Sequence, residues 1–154
     1  MIRRAMERCC GCGGIFPASD GPTHACMVSS AGCWAAYGEV LAREYADPAI
    51  FSASHRLTVD AYAVQHPGNP DDRRAVQSVW LHFAALDAIF GQGATPDAAR
   101  ELLREMAGRT FPALPAMPAM TLTVADVRAD VGSHSASVET CARSAYEAWK
   151  PLLA

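Results

Sequence analysis

Apolar residues along most of this chain recur every three to four positions, the spacing that lines one face of an α-helix. From 30 to about 46, Cys33, Trp34, Tyr37, Val40, Leu41 and Tyr45 keep that spacing behind Ser30, a good N-cap. Asp47-Pro48 punctuates the pattern, because proline resists a continuing helix but suits the first turn of a new one. After a short turn through Phe51, a second helix is predicted over about 54–66 and is ended by Pro67-Gly68. Asn69-Pro70 with Asp71-Asp72 reads as cap, first-turn proline and favourably placed acids for the longest helix, which reaches about Phe90. Its stripe of Val76, Val79, Trp80, Phe83, Leu86 and Phe90 predicts the central core element. Thr95-Pro96-Asp97 opens a further helix to about 107, and Thr123 with Asp126 makes a capping-box start for a short one. A last helix over about 135–149 carries Val138, Ala142, Ala145, Tyr146 and Trp149, with Pro151 as its stop.

Two stretches break the helical pattern. Residues 9–28 mix glycine, proline and cysteine without periodicity and are expected to form an irregular leader that needs an external staple. Residues 110–120 hold prolines at 112, 115 and 118, and predict one long irregular connection. No segment alternates as a strand does, and no repeat is present. The expected fold is all-α, a compact antiparallel helical bundle, with a leader over 1–29 and a helical body over 30–154 in a single domain of ordinary size.

Charge and composition narrow the function classes. A hydrophobic share of 51% against 19% charged residues is that of a globular chain, and a formal net charge of −3 offers nucleic acid or an anionic membrane nothing to bind. No apolar run of transmembrane length occurs, and the first fifteen residues lack the apolar stretch of a secretory signal. The six cysteines are therefore expected in a reducing cytoplasm, where metal binding is a commoner use than disulfides.

Cys9-Cys10-Gly11-Cys12-Gly13 contains C-x-x-C-G, in which two thiolates converge on one ion and glycines relieve the tight turn. It is half of a zinc site. Cys33 and His66 are the expected remaining ligands, with His24 and Cys26 as rivals. The competing view, reduced and merely buried thiols, is the better one for Cys141. A redox dithiol normally follows a strand at a helix N-terminus, a context absent around Cys9.

The segment 55–68 gathers His55, Asp60, Tyr62, Gln65 and His66 on one predicted helix. Three turns separate His55 from His66, about 16 Å along the axis, so one metal cannot take both. If the next helix folds back antiparallel, His82 lies level with His55 and Gln77 with Asp60. His55, Asp60, Tyr62, Gln77 and His82 are then candidates for a polar cluster between helices, of the kind that ligates metal or moves protons. The plainer view of each is structural: His82 as a hydrogen-bonded core histidine, Tyr62, Trp80 and Trp149 as core aromatics.

With C-x-x-C-G, Gly32-Cys33-Trp34, the run Tyr37 to Tyr45, His55 to Gly68, Val76 to His82 and Leu122 to Val127, the chain resembles an uncharacterised family of small bacterial proteins classed as a domain of unknown function. The likeness covers most of the chain and implies no mechanism. One departure is Cys10, which stands where the resemblance expects a proline. The leading expectation is a zinc-binding helical protein whose metal is mainly structural. A metal-assisted hydrolase or transferase built on His55, Asp60 and His82 is the second reading, and a protein-interaction module using 110–120 or a helix face is the third. Neither a small-molecule nor a protein partner is selected, and homo-oligomerisation stays open.

Overall fold

The computed structural model describes residues 3–154. Six helices follow a short hairpin: α1 (Ala31–Ala46), α2 (Pro48–Gln65), α3 (Arg73–Leu86), α4 (Pro96–Met106), α5 (Val124–Ala129) and α6 (His134–Leu153). The fold is mainly α, as the periodicity predicts.

Where a side chain satisfies its own helix start, sequence and structure agree. Ser30 accepts from the Cys33 amide at the start of α1, and Thr95 accepts from Ala98 N to open α4 behind Pro96. Thr123 and Asp126 form both halves of a capping box on α5. Asp47 closes α1 and opens α2 in one step, its carboxylate accepting from Ala49 and Ile50. The predicted turn through Phe51 is therefore absent, and α2 begins at Pro48.

Other expectations give way to tertiary structure. The leader is not wholly irregular: β1 (Met6–Arg8) pairs antiparallel with β2 (Ile15–Pro17), Glu7 opposite Phe16. Three residues per strand are too few to show alternation, and the pairing rests on the cysteine turn between the strands and on Phe16, which is buried. Glu7 also accepts from Gly32 N at 2.7 Å, which places a carboxylate at the start of α1, where the helix dipole favours it. The cap of α3 is Asp72 rather than Asn69, so the connection from α2 runs over residues 66–72. Beyond Leu86 the helix widens into a π-helical turn over Asp87–Gly91, where Tyr146 Oη donates to Asp87. Pro151 lies inside the last turn of α6 instead of stopping it, because few backbone bonds remain there for proline to break.

The central helix is α2, not α3. It packs on α1, α3 and α6, and its residues 60–66 are all buried. One apolar cluster joins it to α3 and α6 through Ala61, Val64, Val79, Phe83, Leu86, Ala145 and Trp149. Trp149 is wholly buried and donates its indole N–H to Val64 O at 2.8 Å. A second cluster joins the leader to α1, α2, α5 and α6 through Phe16, Val40, Tyr62, Val124 and Val138. The 110–120 segment has no regular structure, as expected, and lays Leu114 and Met117 against the first cluster. Among the described residues, no helix is long and apolar enough to cross a membrane.

Candidate metal centre

Cys9, Cys12, Cys33 and His66 are all buried, and one ligand atom from each lies within 4.8 Å of every other. Three separate segments deliver them: the turn of the leader hairpin, the first turn of α1 and the residue that ends α2. Cys12 Sγ is 3.9 Å from Cys33 Sγ, and Cys33 Sγ is 3.3 Å from His66 Nε2. A tetrahedral zinc with bonds of ~2.3 Å to sulfur separates its sulfur ligands by roughly 3.8 Å. The spacing fits a metal and is far too long for a disulfide; all six cysteines are free.

The surrounding backbone is arranged for thiolates. Gly11 N and Ser30 N each point at Cys9 Sγ at 3.4 Å, and Gly14 N points at Cys12 Sγ at the same distance. Glycine is required at two places in this turn. Gly13 adopts φ +76°, and a Cβ on Gly11 would meet Val28 O at 2.3 Å and His66 Cδ2 at 2.6 Å. His66 is oriented by its other nitrogen, Nδ1, which lies 2.7 Å from Tyr62 O and donates to it, so that Nε2 faces the sulfurs as an acceptor. Tyr62 Oη lies 3.4 Å from Cys33 Sγ, and its ring stacks between His66 and Tyr37.

Electrostatically, the three thiols are coupled, so that ionisation of one opposes ionisation of the others. Hydrogen bonding from Cys12, then from Cys33, holds the Cys9 thiol far below its usual range. Cys33 is pushed up by Cys12 and Cys9 and by burial. For Cys12 the contact with Cys33 acts downward, but Cys9 and burial outweigh it and push the thiol up to about 11. A divalent cation offsets that repulsion, which is how a metal deprotonates coordinating thiols. The donor set of three sulfurs and one imidazole thus fits a metal ion on spacing, orientation and chemistry.

The rival ligands lie elsewhere. His24 is exposed, accepts from Cys26 N through Nδ1 and packs its ring against Trp34; Cys26 is only partly buried. Cys10 is exposed. Cys141 is buried in the apolar cluster, where burial pushes its thiol up to about 12.

The polar side chains of α2 do not form the single cluster expected of them. His55 Nδ1 bonds Glu44 at 3.0 Å, while Asp60 bonds His82 Nδ1 at 2.7 Å and is forked by Arg56. Gln77 is not among the hydrogen-bond partners of Asp60 and lines a different hollow, with Pro70, Arg73 and Phe111. Tyr62 belongs to the surroundings of the cysteines. The cause is register: the long 66–72 connection lets α3 start about one turn further along than a tight hairpin allows, and His82 meets Asp60 instead of His55.

Three residues of these networks were not among the expected site residues; two of them carried a weaker signal. Glu44 is fully buried and accepts from His55, from Thr58 and from His134 Nε2 at 2.8 Å. Its signal is position: 33, 37, 40 and 44 share one helical face, so an acid stands on the buried stripe while Tyr45 is exposed. Arg56 is legible as the i,i+4 partner of Asp60. His134, at the start of α6, had no local signal.

A model of a family described as a family of unknown function (DUF5946) matches residues 7–150. No curated protein and no solved structure matches the chain.

Proposed function

The chain belongs to this family of unknown function, and from that premise we propose a zinc-binding protein of the cytoplasm whose metal is mainly structural. The observation that carries this reading is the convergence of four buried ligand atoms from three separate segments. Bound zinc supplies four strong bonds that tie the leader to the helical body, and it needs no open coordination position for that. Cys9 and Cys12 contribute the hairpin turn, Cys33 the start of α1 and His66 the end of α2. Three thiolates favour zinc over magnesium or calcium, which take oxygen ligands.

The test is elemental analysis of protein purified without chelators, followed by cobalt exchange. One equivalent of zinc and the visible absorption of tetrahedral cobalt–thiolate coordination are expected. Substoichiometric metal of every kind, with Cys9, Cys12 and Cys33 titrating freely, counts against the reading. The hydrolase or transferase reading that places a second metal on His55, Asp60 and His82 has less support, because the Arg56 guanidinium occupies Asp60.

A further inference from the structure

Two fully buried carboxylates, Glu44 and Asp60, each hold a neighbouring side chain of α2 from behind. Glu44 holds His55 and Asp60 holds Arg56, and both held side chains line the same groove between α2 and the start of α4. The groove has a volume of about 490 Å³, the size of a small-molecule site. From this we propose that it is a binding site for a small molecule carrying an oxyanion, a carboxylate or phosphate group. This proposal needs no metal and stands or falls apart from the cysteine cluster.

The argument begins with cost. A carboxylate taken wholly out of water is expensive unless several donors meet it, and burying two on one helix pair is a large commitment. Glu44 meets His55, Thr58 and His134, and Asp60 meets Arg56 and His82. In the Glu44 network His55 reaches the surface, and in the Asp60 network Arg56 and His82 both do; His55 and Arg56 are adjacent in sequence and line the groove. His55 and Arg56 are each about one-fifth exposed, at 23% and 22%.

The free atoms of these two side chains define the ligand. Glu44 accepts from His55 Nδ1, so the imidazole is anchored through that atom. Its Nε2, without a partner among the described residues, is a donor to an oxyanion only in the doubly protonated ring, which donates to Glu44 as well. Arg56 spends Nε and Nη2 on Asp60, and Nη2 also lies 3.2 Å from His82 Nδ1. Its Nη1 has no partner among the described residues. A guanidinium fixed along one edge presents its other edge pre-organised, which favours a planar or tetrahedral oxyanion. Phe51 stacks on His55 at 4.3 Å and, with Val59 and Pro96, supplies apolar wall for the rest of the molecule. Of the two cations that line the groove, Arg100 is exposed and pairs with Asp97 at 3.5 Å, whereas Arg56 is fixed in place by the wholly buried Asp60 and is the anchor.

The experiment uses the full-length, metal-loaded protein, labelled with nitrogen-15 and held at constant ionic strength with chloride. Inorganic phosphate and benzoate are titrated separately while the His55 ring resonances are followed. The expected result is a saturable shift of His55 with at least one probe, and the probe that saturates identifies phosphate or carboxylate as the preferred group. Arg56→Lys keeps a cation against Asp60 but removes the fork, and is expected to weaken that binding about tenfold or more. His55→Gln is expected to weaken it in the same direction, followed then by the backbone amides of residues 52–59. Arg100→Ala is expected to change it less than twofold. No saturable shift with either probe overturns the proposal, as does unchanged affinity in Arg56→Lys and His55→Gln proteins that keep the helical signal of the parent.

Discussion

His66 Nδ1 lies 2.7 Å from the carbonyl oxygen of Tyr62, one turn earlier in α2. That bond uses a carbonyl left free where the helix ends, and it turns the opposite ring nitrogen toward Cys33 Sγ. A residue that terminates a helix thereby becomes an oriented ligand. Loss of an orienting partner in a metal site typically costs ~10–100-fold in affinity, and loss of the ligand itself is expected to cost more. His66→Ala should therefore weaken zinc binding by more than about 100-fold, read by competition with a chromophoric chelator. Parent-like affinity in the variant would remove His66 from the site.

Metal removal should loosen one part of the molecule selectively. The hairpin reaches the body through Phe16, the Glu7 cap and the cysteine cluster, whereas none of the four ligands lies on α3 or α4. Chelation is expected to raise amide exchange over residues 3–30 and at the α1 start while α3 keeps its protection, as hydrogen-exchange mass spectrometry will show. Uniform loss across all helices would mean that the metal holds the whole fold.

Two glycines make a matched pair. Gly11→Ala places a methyl group against Val28 O and His66 Cδ2, and is expected to cost ~1–3 kcal/mol together with weaker metal binding. Gly38→Ala, on the exposed side of α1 with open space around it, is expected to stabilise by ~0.4–1 kcal/mol. Thermal melts of the two variants should move in opposite directions.

Breaking the Asp60 network should be severe. Asp60→Ala strands Arg56 and His82 at a site where the carboxylate was wholly buried, and is expected to cost ~3–5 kcal/mol by denaturant titration. A loss under ~1 kcal/mol would mean that water already reaches the pair.

Thiol reactivity separates the two cysteines outside the cluster that differ most. Cys10 is exposed, while Cys141 is buried with its thiol pushed up to about 12 by that burial. At pH 7.5 maleimide is expected to label Cys10 within minutes and to leave Cys141 unmodified until the protein is denatured, as peptide mass mapping will resolve.

The parts legible in sequence share one property: their chemistry closes within a few residues. Ser30, Thr95 and the Thr123–Asp126 box bond amides no more than three positions away, so the pattern alone locates them. The cysteine turn was legible for the same reason. His66 was nameable because it ends a helix facing the loops. What escaped was tertiary. The α2–α3 register depends on the path of residues 66–72, and a slip of one turn moves His82 from His55 to Asp60. Glu44 draws donors from α2 and α6, so its burial reads in one helix only as an acid on an apolar stripe. The hairpin is too short to announce itself and takes its stability from the helices it packs against.

The order in which the four ligands leave the ribosome has a consequence of its own. Cys12 meets Cys33 across 21 residues, and Cys33 meets His66 across a further 33. His66 is therefore the last ligand synthesised, and the complete set exists only once α2 has emerged and folded back on α1. Closing loops of this length costs entropy that grows slowly with length, so the delay is set by translation and helix docking more than by chain search. Until then a nascent chain carries unpaired thiols in a solvent-exposed leader, and on the zinc-binding reading metal supply during synthesis becomes part of how this protein folds.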